Sequence, residues 1–238
     1  MKRNAAVGLF AMPSNLHREL FVETAAIQIE NLYVTTDHQP ILSDLSLSLE
    51  QGQKTTLVGR SGCGKSTLLR TVLGFVIPNS GKIRIFGKKL TGKSVWNLRT
   101  RMAYVAQEPE MSPGRVRDIL QWPFSFKNNR HLSGNLKRIP ELLDRLQLSG
   151  QVLNKDVSNL SGGERQRIAL ISALLLDREI LLLDEASSAL DETSKHAVID
   201  LLKTIEPLTV LSVSHDREWM DFSDNIIYLS NEPHQATT

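Results

Sequence analysis

The feature that most limits what this chain can fold into is the run Gly59-Arg60-Ser61-Gly62-Cys63-Gly64-Lys65-Ser66-Thr67, which fits G-x-x-x-x-G-K-[ST]. A short apolar strand pattern, Thr55 to Val58, precedes it. Leu68, Leu69, Val72 and Leu73 then repeat on one helical face, with Gly74 placed to end that helix. Strand, glycine loop and helix are the context this motif requires. Glycines let the backbone wrap closely, so that its N–H groups point at phosphate oxygens. The helix adds unsatisfied N-terminal donors and the positive end of its dipole. Lys65 is then placed to reach the β- and γ-phosphates, and the Ser66 hydroxyl to ligate Mg²⁺. Cys63, the single cysteine, reads as a small side chain at a variable position of the loop, with thiol redox control the lesser alternative.

The rest of the chain supplies the core that such a loop needs. Ile180 to Leu183 and Leu208 to Val213 are short apolar runs, as expected of parallel strands covered on both faces. Ala197, Val198, Leu201, Leu202 and Ile205 recur as one face of a helix. Alternating strands and helices imply a parallel, doubly wound α/β core of the phosphate-loop nucleotide-hydrolase (P-loop NTPase) kind. From Ile27 the pattern differs. Leu45, Leu47 and Leu49 alternate with Ser46 and Ser48, and Lys82 to Phe86 alternates after the turn signal Asn79-Ser80-Gly81. An antiparallel β subdomain is therefore expected beside the core. Residues from about 108 to 165 read as a helical subdomain inserted in a domain spanning 25–238. They hold Pro109, Pro113, Pro123 and Pro140, with helical patterns at Val116-Ile119-Leu120 and Leu142-Leu143-Leu146. Residues 1–24 carry no clear period and read as an N-terminal extension. Lys2-Arg3 before an apolar stretch lacks the cleavage site of a secretory signal.

Composition closes off several classes. With 41% hydrophobic and 23% charged residues the chain has ordinary globular usage, which excludes wholesale disorder. The longest nearly unbroken apolar run, Ile168 to Leu176, is far short of the roughly 20 residues of a membrane-spanning helix. A formal charge of +2 and a pI near 8.7 give no reason to expect a nucleic-acid or anionic-membrane surface.

Two further constellations fit the phosphate site. Ile180-Leu181-Leu182-Leu183-Asp184-Glu185 is an apolar strand ending in two carboxylates. In this architecture ligands bind beyond the carboxyl ends of the strands, so both acids are expected to face the phosphates. Asp184 is expected to hold Mg²⁺, and Glu185 to orient or deprotonate the attacking water. His215 follows the strand Leu208 to Ser214 and is placed to contact a γ-phosphate. Gln107 ends the run Ala103-Tyr104-Val105-Ala106 at the border of the helical insertion, where it can sense Mg²⁺ and the attacking water.

Leu160-Ser161-Gly162-Gly163-Glu164-Arg165-Gln166-Arg167 resembles the LSGGQ-type signature of the ATP-binding-cassette (ABC) ATPases. Cradle, Gln107, signature, Asp184-Glu185, Ser188-Ala189-Leu190-Asp191 and His215 follow one another in that family's order, over about residues 27–230. The resemblance implies ATP and Mg²⁺ as ligands and two nucleotide-binding subunits paired head to tail, either two copies or a copy and a homologous ATPase subunit. Each site then joins the cradle of one subunit to Ser161, Gly162 and Gly163 of the other, and Asp191 lies at the interface. The segment also reads physically as a helix start: Ser161 as cap, glycines, then Ile168, Leu170, Ile171, Leu174 and Leu175. In one respect the chain departs from the family: Thr36 stands where relatives carry an adenine-stacking aromatic, with Tyr33 and His38 nearby.

The resemblance further implies a transmembrane permease subunit docked on the helical insertion, peripheral attachment at the cytoplasmic face of the plasma membrane, and no nucleic-acid partner. Leu120-Gln121-Trp122-Pro123-Phe124 and Asp191-Glu192-Thr193-Ser194-Lys195-His196 look most like bacterial subunits associated with iron export. Trp122 and Phe124 are equally readable as packing or as a docking patch. An importer subunit for a small solute, and a non-transport ABC ATPase, are the alternatives. The short stretch from Gln107 to Ser161 lacks the long coiled coils of chromosome and DNA-repair relatives. A kinase or regulatory GTPase would have no use for Leu160 to Arg167.

Overall fold

The computed structural model describes residues 25–36 and 39–229. The sequence readings of residues 1–24 and of His38 fall outside that range. Strands β1 (Ala25–Thr36) and β2 (Gln39–Glu50) form a long antiparallel ladder. The chain leaves it for β3 (Lys54–Val58) and helix α1 (Lys65–Val72), then returns as β4 (Ser80–Ile85) and β5 (Lys88–Lys89). The order of this first sheet is β2-β1-β4-β5, antiparallel throughout. Its alternation is that of a sheet with one covered face: Ile83 and Ile85 are buried while Lys82 is exposed.

After α2 (Val95–Arg99) come β6 (Met102–Val105), α3 (Val116–Gln121), α4 (Ile139–Arg145) and α5 (Gly162–Leu175). The chain ends with β7 (Ile180–Asp184), α6 (Glu192–Lys203), β8 (Thr209–Val213), α7 (Arg217–Phe222) and β9 (Asn225–Tyr228). Strands β6-β7-β8-β3-β9, in that order, make the second sheet, and every pair in it is parallel. All five residues of β7 and of β8 are buried, as strands covered on both faces must be. Between α3 and α5 the helical region uses 3-10 turns as well as α-helix, including Arg130–Arg138.

The parallel sheet separates two apolar clusters. Leu181 and Leu183 belong with α3, α4, α5 and α6 on one side, while Ile180 and Leu182 belong with α1 and the antiparallel sheet on the other. In α6 the buried arc differs from the expected one. Ser194, Val198, Ile199, Leu201 and Leu202 are buried, Ala197 is half-buried, and Ile205 lies beyond the helix end. The helix presents a wide arc, and Ala197 stands at its margin.

Candidate nucleotide site

The loop Gly59–Gly64 joins the end of β3 to the start of α1. Gly64 has φ 94°, and a Cβ there would come within 2.9 Å of both Leu42 and Ile41 side chains. Only glycine meets both conditions. At Gly59 a Cβ would lie 2.5 Å from the Leu229 carbonyl oxygen, so the loop leaves β3 pressed against the chain that follows β9. Lys65 is buried, and its Nζ donates to the carbonyl oxygens of Gly59 (2.6 Å) and Arg60 (3.0 Å). The ammonium thus spans the cradle it is expected to serve. Arg60, Ser61 and Gly62 are exposed at the loop surface, and Ser66 and Thr67 are half-buried. Cys63 instead packs inward, in the cluster that holds Leu42 and Leu229.

Asp184 ends β7, fully within the fold. Its Oδ1 accepts from the Ser66 hydroxyl at 2.8 Å and its Oδ2 from the Tyr104 hydroxyl at 3.1 Å. Burial, reinforced by the Asp184 carboxylate, pushes the Tyr104 phenol up to about 12, so Tyr104 stays a donor across the working pH range. Glu185 follows with φ 47°, a left-handed conformation uncommon for a side-chain-bearing residue, and its N–H donates to the Val213 carbonyl at 3.0 Å. Its Oε2 accepts from Gln107 Nε2 at 2.8 Å. Ser66 and Asp184 are therefore joined directly, as are Gln107 and Glu185. His215 lies two residues past Val213, which pairs with Asp184 in the ladder. Its imidazole is exposed and makes no hydrogen bond among the described residues.

Ser161 caps α5 through a capping box. Its hydroxyl accepts from the Glu164 N–H at 3.1 Å, while Glu164 Oε2 accepts from the Ser161 N–H at 2.9 Å. The Lys155 ammonium, 2.8 Å from Glu164, and then the Ser161 N–H hold this carboxyl below its usual range. A Cβ on Gly163 would lie 3.0 Å from the Ala189 carbonyl oxygen, so the helix start rests on the segment after Glu185. Ser161 and Gly162 are exposed, and among the described residues no hydrogen bond joins Ser161, Gly162 or Gly163 to the cradle. Asp191 caps α6, accepting from the Ser194 N–H at 2.7 Å. Thr36 ends β1, exposed, and Tyr33 is partly exposed on the same strand.

Three residues near the site received no role from sequence reasoning. Tyr104 was visible only as part of a strand run. A phenol on a buried strand needs a partner, and that was its signal. Gln166 is 2% exposed and its Nε2 donates to the Ala106 carbonyl at 3.2 Å. A polar residue on the buried stripe that includes Leu170, Ala173 and Leu174 was its signal. The Lys195 ammonium bonds Asp216 at 2.6 Å and lies 3.3 Å from Glu218, tying the start of α6 to the residue after His215. Burial works against the Asp216 carboxylate, but Lys195 and the Trp219 N–H outweigh it and hold its pKa low. Nothing local in the sequence pairs those residues.

A cleft of about 800 Å³ opens between the helical region and the parallel sheet, lined among others by Phe75, Tyr104, Glu108, Met111, Trp122 and Ser172. Trp122 is largely exposed at its mouth and Phe124 is buried beneath. Of the two aromatics in that stretch, one packs and one faces outward.

The profile of the family described as ABC transporter matches residues 42–188, which include the cradle, Gln107, the Ser161 segment, Asp184 and Glu185. The chain is 34% identical over 211 residues to the probable iron export ATP-binding protein FetA of Escherichia coli K12, covering 87% of this chain and 92% of that one. It is 30% identical over 214 residues to the energy-coupling factor transporter ATP-binding protein EcfA1 of Leuconostoc mesenteroides, covering 87% and 78%. Among solved structures, the dimeric post-hydrolysis state of the ATP-binding cassette MJ0796 bound to ADP and Pi superposes with a TM-score of 0.76 at 26% identity. That match covers 86% of this chain and 94% of the other.

Proposed function

The chain belongs to the ABC transporter family, and on that premise we propose that it is the ATP-hydrolysing subunit of a transporter whose channel is a separate transmembrane protein. Its catalytic unit is one domain over residues 25–238, with the helical subdomain at 108–165 inserted in it. The observation that carries this reading is the pairing at the carboxyl end of β7: Ser66 with Asp184, and Gln107 with Glu185.

The cradle Gly59–Thr67 binds the triphosphate through its N–H groups, and Lys65 moves its ammonium from the loop carbonyls to the β- and γ-phosphates. A hydroxyl and a carboxylate 2.8 Å apart are hard oxygen donors of the kind Mg²⁺ accepts while keeping most of its waters. Ser66 and Asp184 would hold that ion, with Gln107 as a further oxygen donor; bound there, it would neutralise charge on the phosphate oxygens. Glu185 takes the proton of the attacking water, and Gln107 orients that carboxylate. His215, at the end of β8, contacts the γ-phosphate side. Ser161 and Gly162, exposed in one chain, and the half-buried Gly163 close the site of a second copy or a homologous subunit. A second set of helix N-terminal donors on the γ-phosphate makes dimer closure depend on ATP. This reading is supported by the dimeric MJ0796 cassette, which binds ADP and Pi.

The transmembrane partner seats in the 800 Å³ cleft. One cleft wall is Tyr104, whose hydroxyl bonds Asp184, so the partner touches the Mg²⁺ side of the site through a single residue. Iron export is the cargo favoured by the likeness to FetA. The likeness to EcfA1 supports the second reading, a subunit of an energy-coupling-factor type transporter. The membrane protein that co-purifies with the chain distinguishes the two.

Glu185→Gln tests the mechanism. Turnover is expected to fall by about 10²-fold or more while ATP binding persists and a dimer accumulates with ATP on size-exclusion chromatography. Hydrolysis at the wild-type rate would remove Glu185 as the base.

A further inference from the structure

The near-neutral total hides a strong regional asymmetry. From Gln51 to Gln107 there is no acidic residue, while eleven Lys and Arg occur there; the whole chain has 28 basic and 26 acidic residues. Some of the eleven have assigned partners. Lys65 belongs to the cradle, Arg101 is paired with Glu179, and Arg84 lies 3.9 Å from Glu30. Lys82, Lys88, Lys89 and Lys93 are exposed and form no ion pair among the described residues, although Glu30 stands opposite Lys82 in the β1–β4 ladder. Lys82 and Lys89 line one 220 Å³ hollow with Ile77 and Val95; Lys88 is the neighbour of Lys89 on the edge strand β5, and Lys93 lies in the loop between β5 and α2.

The same surface carries exposed apolar side chains. Ile77 is 88% exposed, Trp96 72% and Phe75 63%. The Arg99 guanidinium sits 4.2 Å from the Phe75 ring centroid and 5.0 Å from that of Trp96, and its Nε donates to the Leu73 carbonyl at 2.7 Å. Both rings are thus anchored to a fixed cation while remaining open to solvent. Phe75 also lines the cleft proposed above for the transmembrane partner, so this patch continues outward from the cleft's lip.

We propose that Phe75, Ile77 and Trp96, ringed by Lys82, Lys88, Lys89 and Lys93, contact the anionic headgroups of the membrane beside the transmembrane partner. The placement rests on that partner occupying the cleft. Lysines near an anionic bilayer each gain favourable electrostatic energy, and indole is the side chain most at home in the headgroup layer. Continuity with the cleft favours lipid over nucleic acid, the other polyanion that such a surface could meet.

The test uses the purified full chain and sedimentation with vesicles of phosphatidylcholine alone or mixed with phosphatidylglycerol. Binding is expected only to the mixed vesicles, weakened by high salt, with a blue shift in tryptophan emission that Trp96→Phe abolishes. The variant Lys82→Gln/Lys88→Gln/Lys89→Gln/Lys93→Gln should bind mixed vesicles at least tenfold more weakly and hydrolyse ATP at the wild-type rate. Failure to bind mixed vesicles would overturn the proposal, as would equal binding to both kinds, undiminished binding by the fourfold variant, or retention on duplex DNA or tRNA in preference to vesicles. Intact ATP hydrolysis together with any of these results would leave the nucleotide-site reading standing while removing this one.

Discussion

The Gln166 side chain makes one hydrogen bond among the described residues, from its Nε2 to the carbonyl of Ala106, sixty positions away, and its Oε1 has no partner there. Ala106 precedes Gln107, and Gln107 holds Glu185. The amide therefore ties the helix that starts at Ser161 to the residue that orients the proposed base. Gln166→Ala removes the donor to the half-buried Ala106 carbonyl, a hydrogen bond of about 1 kcal/mol, and frees the backbone just before Gln107. The expected outcome is a loss of stability in urea denaturation together with a fall in kcat at nearly unchanged KM. A stability loss with unaltered kcat would reduce Gln166 to a packing residue. Lys65, Ser66, Asp184 and Glu185 were legible in the sequence because each follows a strand pattern or sits in a dense local motif. Gln166 and Tyr104 were not, since what defines them is a partner sixty and eighty positions distant.

Helix α5 shows how much of an element local rules specify. Its start combines a Ser cap, a Glu three residues on and a carboxylate in the first turn of the helix dipole. Ser161→Ala is expected to cost about 1 kcal/mol in thermal unfolding. The box also sets a pH dependence. Lys155 first, then the Ser161 N–H, lower the folded pKa of Glu164 below its ordinary 4.5. The unfolded chain then binds the proton more readily, so this stabilisation is complete above about pH 4.5 and is lost as pH falls through the depressed folded value. Glu164→Gln should show a shallower fall in melting temperature on acidification than the wild type, and parallel curves would refute the assignment. The strands and α5 were legible from period and capping. Arg130–Arg138 was not: it is a 3-10 segment with no fully buried residue, and its apolar contacts, the half-buried Leu132 and Leu136, are too few to mark a period.

The whole molecule is organised around β7, the strand that delivers Asp184 and Glu185. Its successive side chains alternate between two cores, with Leu181 and Leu183 facing the helical region and Ile180 and Leu182 facing α1 and the antiparallel sheet. Neither core is closed without the sheet they share, so the helical region and the antiparallel sheet are expected to unfold together rather than as separate lobes. Tryptophans report on each side: Trp96 on α2 beside the antiparallel sheet, and Trp122 at the helical cleft. Leu182 is fully buried, and Leu182→Ala removes side-chain volume from the antiparallel side only, at a cost of about 2–5 kcal/mol. In variants retaining one of the two reporters, Trp219→Phe combined with Trp96→Phe or with Trp122→Phe, this substitution should lower the urea midpoint seen by Trp122 as much as that seen by Trp96. A shift confined to Trp96 would mean that the helical region folds independently of the strand that ends at Asp184. A partner in the cleft would then act on a separate body, and the Tyr104–Asp184 contact would have to carry the coupling alone.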